Sequence, residues 1–126
     1  MFEELKNNMK NSYSKYSNYK VSACLVTKDG KKYFGVNIEN GSFGATICAE
    51  RVAIFKAISE GESKGNFKEI NILGSSGKAL PCFMCRQVFT EFFNKDVLIN
   101  VYEPNENVTT YTMNEICPLP FSLGDN

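Results

Sequence analysis

Residues 46–60 read T-I-C-A-E-R-V-A-I-F-K-A-I-S-E. From Cys48 to Glu60 the run contains no glycine or proline and is rich in helix formers, so it predicts a helix with Gly61 as its stop. Apolar segments flank this helix on both sides. Upstream, V-S-A-C-L-V (21–26) and K-Y-F-G-V-N (32–37) predict two strands. Asp29-Gly30 lies between them and predicts a hairpin, because type I′ turns need positive φ. Downstream, I-N-I-L (70–73) predicts a short buried strand. A second helical run, C-F-M-C-R-Q-V-F-T-E-F-F, follows Pro81 with Val88, Phe89, Phe92 and Phe93 on one face, and V-L-I-N-V (97–101) predicts another buried strand. Phe2, Leu5 and Met9 repeat at helical spacing, which predicts a first helix over 2–13. Strand, helix, strand, helix, strand is the order of parallel βαβ crossovers, here behind a hairpin. No repeat, linker or low-complexity stretch interrupts the order, so residues 1–126 are expected to form one domain.

Composition narrows the function. A hydrophobic fraction of 43% is that of a globular protein, and ten Phe with six Tyr supply large packing surfaces. Fourteen acids balance fourteen bases. Without a basic cluster there is no electrostatic footprint for nucleic acid, and a small neutral ligand fits the balance better. The first twelve residues lack an apolar signal core, and no run approaches membrane-spanning length, so a soluble, cytoplasmic protein without membrane partners is expected. Five cysteines in such a chain point to metal or catalysis before disulfides. Histidine, the usual partner of cysteine at a metal and the usual proton carrier, is absent.

Cys82 and Cys85 form P-C-F-M-C at a predicted helix start, and Cys48 stands at another. Helix N-termini carry partial positive charge and unpaired N–H groups, which stabilise thiolates. Three thiolates make a plausible zinc site with a fourth position left for water, the catalytic pattern. Glu50, two residues after Cys48, is placed to take and pass a proton. Arg51 is placed to hydrogen-bond the sulfurs and draw negative charge off the metal. Against these stand plainer readings: a redox C-x-x-C or two buried thiols, and a solvated Glu50 paired with Arg51. Cys24 reads as a packed core thiol and Cys117, before Pro118, as structural, since a fourth sulfur would close the site.

C-A-E-R followed by P-C-F-M-C-R-Q resembles the zinc nucleoside and nucleotide deaminases. Y-S-N-Y-K-V, V-N-I-E-N, C-A-E-R, P-C-F-M-C-R-Q and P-L-P-F occur in the order and spacing of the small cytidine deaminases, across nearly the whole chain. The resemblance implies a three-layer αβα fold on a mixed five-stranded sheet, a hairpin plus parallel βαβ units. It implies one Zn²⁺ per subunit held by Cys48, Cys82 and Cys85, with Glu50 as proton shuttle. It implies hydrolysis of cytidine and deoxycytidine to the uridine products and ammonia, a pyrimidine-salvage reaction. Asn37 and Glu39 match the residues that hold the ribose 3′-hydroxyl, Tyr19 a position near the pyrimidine, and the Ala49 backbone N–H a donor to the base carbonyl. Phe121 corresponds to an aromatic that stacks on the base from a neighbouring subunit, and Phe43 lies at the subunit boundary. A homotetramer with composite active sites is the implied assembly. The chain departs from the family pattern at Phe83-Met84 between two ligands, at Tyr19 where phenylalanine is usual, and at Phe43 where tyrosine is common. Rival readings are a deaminase of the same fold acting on another base or nucleoside analogue, a non-catalytic zinc module, and a thiol–disulfide enzyme. A nucleotide substrate would call for Arg or Lys near 37–44, where there is none.

Overall fold

The computed structural model describes residues 1–124. Its sheet is built of β1 (Val21–Thr27), β2 (Lys32–Val36), β3 (Phe67–Gly74), β4 (Leu98–Tyr102) and β5 (Val108–Thr112), in the order β2-β1-β3-β4-β5. The helices are α1 (Phe2–Met9), α2 (Ala49–Ser59), α3 (Phe83–Phe92) and the short α4 (Met113–Ile116). β1 runs antiparallel to both its neighbours, and β3 pairs parallel with β4. β2 and β3 therefore point the same way with β1 between them, and α2 and α3 are the two crossovers expected from the element order.

Alternation along the strands divides the core into two layers. Ala23, Leu25, Ile70, Ile72, Ile99 and Val101 face α2 and α3, where Ala53, Ile54, Ala57, Phe89 and Phe93 complete the main core. Cys24, Val26 and Leu73 face the other way and pack on Leu5 of α1. The sandwich is thus three-layered, as the resemblance implied. Towards β5, the α1 side of the sheet turns polar. Asn100 donates to Asn71 at 2.9 Å and Thr110 to Asn100 at 2.8 Å, which satisfies the fully buried Asn71 within the sheet.

Four expectations are corrected. The first helix ends at Met9, not residue 13, because the backbone of Tyr13 pairs with Asn37 and Glu39 instead of continuing the helix. The hairpin is real, but it is not a two-residue I′ turn. Of Asp29 and Gly30, only Gly30 has positive φ (91°), and Gly30 N–H donates to Thr27 O while Thr27 N–H donates to Lys31 O. That is a turn closed by a glycine bulge. β3 begins at Phe67, three residues before the predicted strand; the register against β1 shifts there, so the consecutive charged residues Lys68 and Glu69 break the alternation and hide the strand. β5 is the fifth strand of the implied sheet, and sequence reading did not locate it. Its signal was V-T-T-Y-T, a β-branched and aromatic run after the N-E-N turn in which Glu106 takes φ of 73°.

Gly35 sets how closely α2 lies on the sheet. A Cβ there would collide with the Ala49 carbonyl and come within 2.6 Å of the Ala53 backbone nitrogen. Both atoms belong to the helix that carries Glu50, so neither can yield without moving it. Gly35→Ala is expected to cost about 1–3 kcal/mol in urea unfolding, the range for overpacking a tight contact. Because Cys48 is the N-cap of the displaced helix, the variant should also bind zinc more weakly in a competition titration against a chelator.

Candidate active site

Cys48 is the N-cap of α2 and Cys82 the N-cap of α3. The two helix starts meet, and the sulfurs of Cys48, Cys82 and Cys85 all lie within 4.8 Å of one another. Cys48 and Cys82 Sγ are 3.7 Å apart, and the Cys85 backbone N–H donates to Cys82 Sγ at 3.5 Å. That bond is a helix cap: the sulfur takes the place of the Ser or Asp oxygen that usually accepts from the first turn.

The donor set fits zinc. The hydrogen bond from the Cys85 thiol, aided by Arg51 and Cys82, holds Cys48 down to about 5 against the opposing effect of burial. The same bond, together with burial, pushes the Cys85 thiol up. The cluster thus favours the thiolate at Cys48, and the other sulfurs stand beside it at metal-binding separation, the soft donor set that zinc prefers. Arg51 Nη2 donates to Cys48 Sγ at 3.4 Å, as its expected place near the sulfurs requires. Among the described residues its buried Nε has no hydrogen-bond partner.

Glu50 occupies the first turn of α2 and is only 4% exposed. A solvated helix residue is thereby ruled out. Burial raises its carboxyl to about 7, with the Cys48 charge adding to the rise and Cys85 and Arg51 opposing it. Burial, then the charge of Glu50, raises the Tyr19 phenol. Its hydroxyl, unusual at this position, donates to Ser76 O at 2.9 Å. Ala49 is the first residue of α2, where a backbone N–H has no acceptor within the helix.

Asn37 and Glu39 lie on the segment that bridges Tyr13 and Ile47. Asn37 is engaged by its own chain: Val21 N–H donates to its Oδ1 at 2.9 Å, and its Nδ2 donates to Tyr19 O at 2.8 Å. Glu39 Oε1 accepts from the Tyr16 and Ser17 backbone at 2.9 and 3.0 Å, and Ser17 Oγ donates to Oε2. The Ser17 hydroxyl and those N–H groups hold the Glu39 carboxyl below its usual range. Sequence reading missed the loop 16–17 as the clamp on Glu39; its serine-rich composition was the available signal. Phe43 is 79% exposed at the rim of a cavity of about 360 Å³ lined by Tyr16, Ser17, Glu39, Asn40 and Thr46. Phe121 does not line that cavity. It lies along α3, on a second cavity with Thr90, Phe93 and Met113. Cys24 is fully buried in the α1 layer, with burial raising its thiol to about 12, and Cys117 lies at the end of α4 outside the thiol cluster.

On this sheet order, a thiol cluster with a buried carboxylate beside it belongs to the zinc-dependent hydrolytic deaminases. The sequence matches the family described as cytidine and deoxycytidylate deaminase zinc-binding region over residues 1–101. It is 35% identical over 126 residues to a cytidine deaminase of Sporosarcina psychrophila, spanning 99% of this chain and 91% of that protein. A cytidine deaminase of Halalkalibacterium halodurans is 36% identical, over 90% of this chain and 86% of its own length. The crystal structure of cytidine deaminase from Burkholderia pseudomallei, 37% identical, superposes with a TM-score of 0.90 over 94% of both chains. This chain belongs to the cytidine and deoxycytidylate deaminase family, and zinc is its cofactor, one ion per subunit.

Burying Glu50 has a cost in the metal-free protein. A carboxyl whose folded pKa is raised stabilises nothing when ionised: stability is lost as pH rises from its usual 4.5 through about 7. Glu50→Gln removes the ionisable group. The metal-free variant should exceed the metal-free parent in urea-unfolding free energy by on the order of 1–3 kcal/mol at pH 8. The gap should close at pH 4.

Proposed function

We propose that this chain hydrolyses free cytidine and deoxycytidine to uridine and deoxyuridine with release of ammonia. The observation that carries the reading is the buried Glu50 in the first turn of the helix that Cys48 caps, beside a cluster of three sulfurs and not four. Cys48, Cys82 and Cys85 would hold the zinc ion, which when bound supplies Lewis acidity to an attacking water. Glu50 moves the protons. It takes one from the water and gives it to ring N3 so that C4 becomes electrophilic. Once the water oxygen has bonded to C4, Glu50 takes that oxygen's remaining proton and passes it to the amino group, which leaves as ammonia as the C4–N bond breaks and the C4 carbonyl forms. A carboxyl with pKa near 7 in its metal-free pocket is suited to both directions of transfer. Arg51, bonded to Cys48, tempers the charge of the sulfurs, which would otherwise blunt the Lewis acid.

The substrate is bound from both ends. The Ala49 N–H donates to the base carbonyl, Tyr19 lines the pyrimidine, and Asn37 with Glu39 holds the ribose 3′-hydroxyl. Glu39 has accepting capacity left beyond the loop that orients it. Among the described residues the cavity beside it is lined by this carboxylate and by no Lys or Arg, so a 5′-phosphate would meet like charge there. The free nucleoside is therefore favoured over the nucleotide. Zero net charge likewise speaks against a nucleic acid partner.

Phe43, Phe83, Met84, Leu119 and Phe121 are exposed, and these apolar side chains support a homotetramer with composite sites, in which Phe121 reaches the base bound by a neighbour. Among the described residues no helix is long and apolar enough to cross a membrane. A thiol-based metal site needs a reducing compartment, which supports the cytoplasm. A second reading, deamination of a nucleoside analogue, is favoured by 29% identity over 111 residues to a blasticidin-S deaminase of Bacillus cereus.

Purified zinc-loaded protein is expected to convert cytidine to uridine, read by the ultraviolet change, and to lose that activity on chelation. Turnover of blasticidin S but not cytidine would establish the second reading. Glu50→Ala should lower kcat by about 10²–10⁴ while retaining zinc by metal analysis. Near-normal turnover in that variant would remove Glu50 from the mechanism. Arg51→Ala is expected to keep zinc and turn over slowly, and unchanged kinetics would end its electronic role.

A further inference from the structure

We propose that Arg86 and Gln87 are positioning residues: they clamp the C-terminal tail onto α3 so that Phe121 is presented at a fixed place and angle. This rests on the reading above in which Phe121 stacks on a base in a neighbouring subunit. Arg86 follows the ligand Cys85 directly. Its Nε donates to Pro81 O at 2.8 Å, the carbonyl just before Cys82, and its Nη1 donates to Ile116 O at 2.9 Å, at the last residue of α4. One planar guanidinium thus ties the ligand loop to the root of the tail. An ammonium on a flexible stem has no such two-pronged geometry. The next residue completes the clamp: Gln87 Nε2 donates to Phe121 O at 3.3 Å. Consecutive residues of α3 therefore hold the carbonyls at both ends of the segment 116–121.

The segment between the two holds is stiff and poorly buried. Pro118 and Pro120 fix their own φ and narrow the conformations open to Leu119 between them. Leu119 is 91% exposed and Phe121 63%, and a cavity of about 420 Å³ lies beneath the strap, lined in part by Thr90, Phe93, Pro118 and Pro120. Apolar packing cannot place a strap that bridges a hollow, so the hydrogen bonds from α3 place it. Phe83 belongs to the same device. Its ring lies 4.7 Å from the Arg86 guanidinium, a cation–π contact on the solvent side. This explains the large residue between the two zinc ligands: it covers and orients the arginine that holds the loop and the tail.

The test uses the zinc-loaded full-length protein and four variants: Gln87→Ala, Arg86→Lys, Phe121→Ala and the Gln87→Ala/Phe121→Ala double. Each is measured for kcat and KM with cytidine and for amide hydrogen exchange over 117–123. Gln87→Ala is expected to raise KM about three- to tenfold, as the loss of one hydrogen bond would, with kcat within about twofold and zinc retained. It should also speed exchange in the tail. Arg86→Lys, which keeps the charge, should not rescue the tail's protection. In the Phe121→Ala background, Gln87→Ala should raise KM no further, because the clamp acts through that ring. If Gln87→Ala leaves tail exchange and KM unchanged while Phe121→Ala raises KM, the clamp is wrong and the stacking reading stands. If both clamp variants loosen the tail but Phe121→Ala leaves KM unchanged, the stacking reading fails and takes the positioning role with it. Independent effects that multiply in the double variant overturn the proposal as well.

Discussion

The meeting of two helix N-termini is the constraint on which this protein depends. Three sulfurs at such short range would repel one another as thiolates. The starts of α2 and α3 bring partial positive charge and free N–H groups to that point, and Arg51 adds a full positive charge. Cysteine stands at the N-cap of both helices and so brings a sulfur to each start, and Cys82 Sγ also accepts a capping bond from the Cys85 N–H. The sheet makes the meeting possible. β2 and β3 run the same way, so the crossovers they launch lie side by side, and Gly35 lets α2 settle close enough for its first turn to reach α3.

The lack of histidine follows the same logic. Sulfur can replace imidazole as ligand, but the resulting anionic cluster would make a poor Lewis acid without compensation. Each compensating feature is local to the two helix starts. In the proposed mechanism the proton-carrying task falls to Glu50, whose affinity for protons is raised by its burial. Stability is given up at that one carboxyl, and function needs the same property. A second polar device, the Asn71–Asn100–Thr110 ladder, is a contrast: every buried group in it is paired, and it carries no chemistry.

The elements that sequence reading recovered have strong local causes. C-A-E-R-V-A-I-F and P-C-F-M-C-R-Q are helix starts by composition and position, and I-N-I-L has the short length and β-branched content of a buried strand. The failures arose where local preference met a tertiary competitor. Residues 10–13 have no breaker, yet Tyr13 is captured by the 37–39 segment. β5 is an edge strand with little hydrophobic alternation, so its existence depends on pairing with β4. The Arg86–Gln87 pair was visible as part of a motif, but its purpose was not, because its acceptors lie about 30 residues away at Ile116 and Phe121.

By itself the sequence determined the chemistry available: three cysteines, one glutamate and one arginine, each within the first turn or cap of a predicted helix. Spacing along a helix is a short-range property, so those placements could be read directly. Only the tertiary structure decided that the two starts face each other, that Glu50 is shut away from water while Glu39 is gripped by the 16–17 loop, and that the tail is pinned to α3. These depend on which distant segments pack together, and a carboxylate's burial or a carbonyl's partner has no signature in the residues beside it.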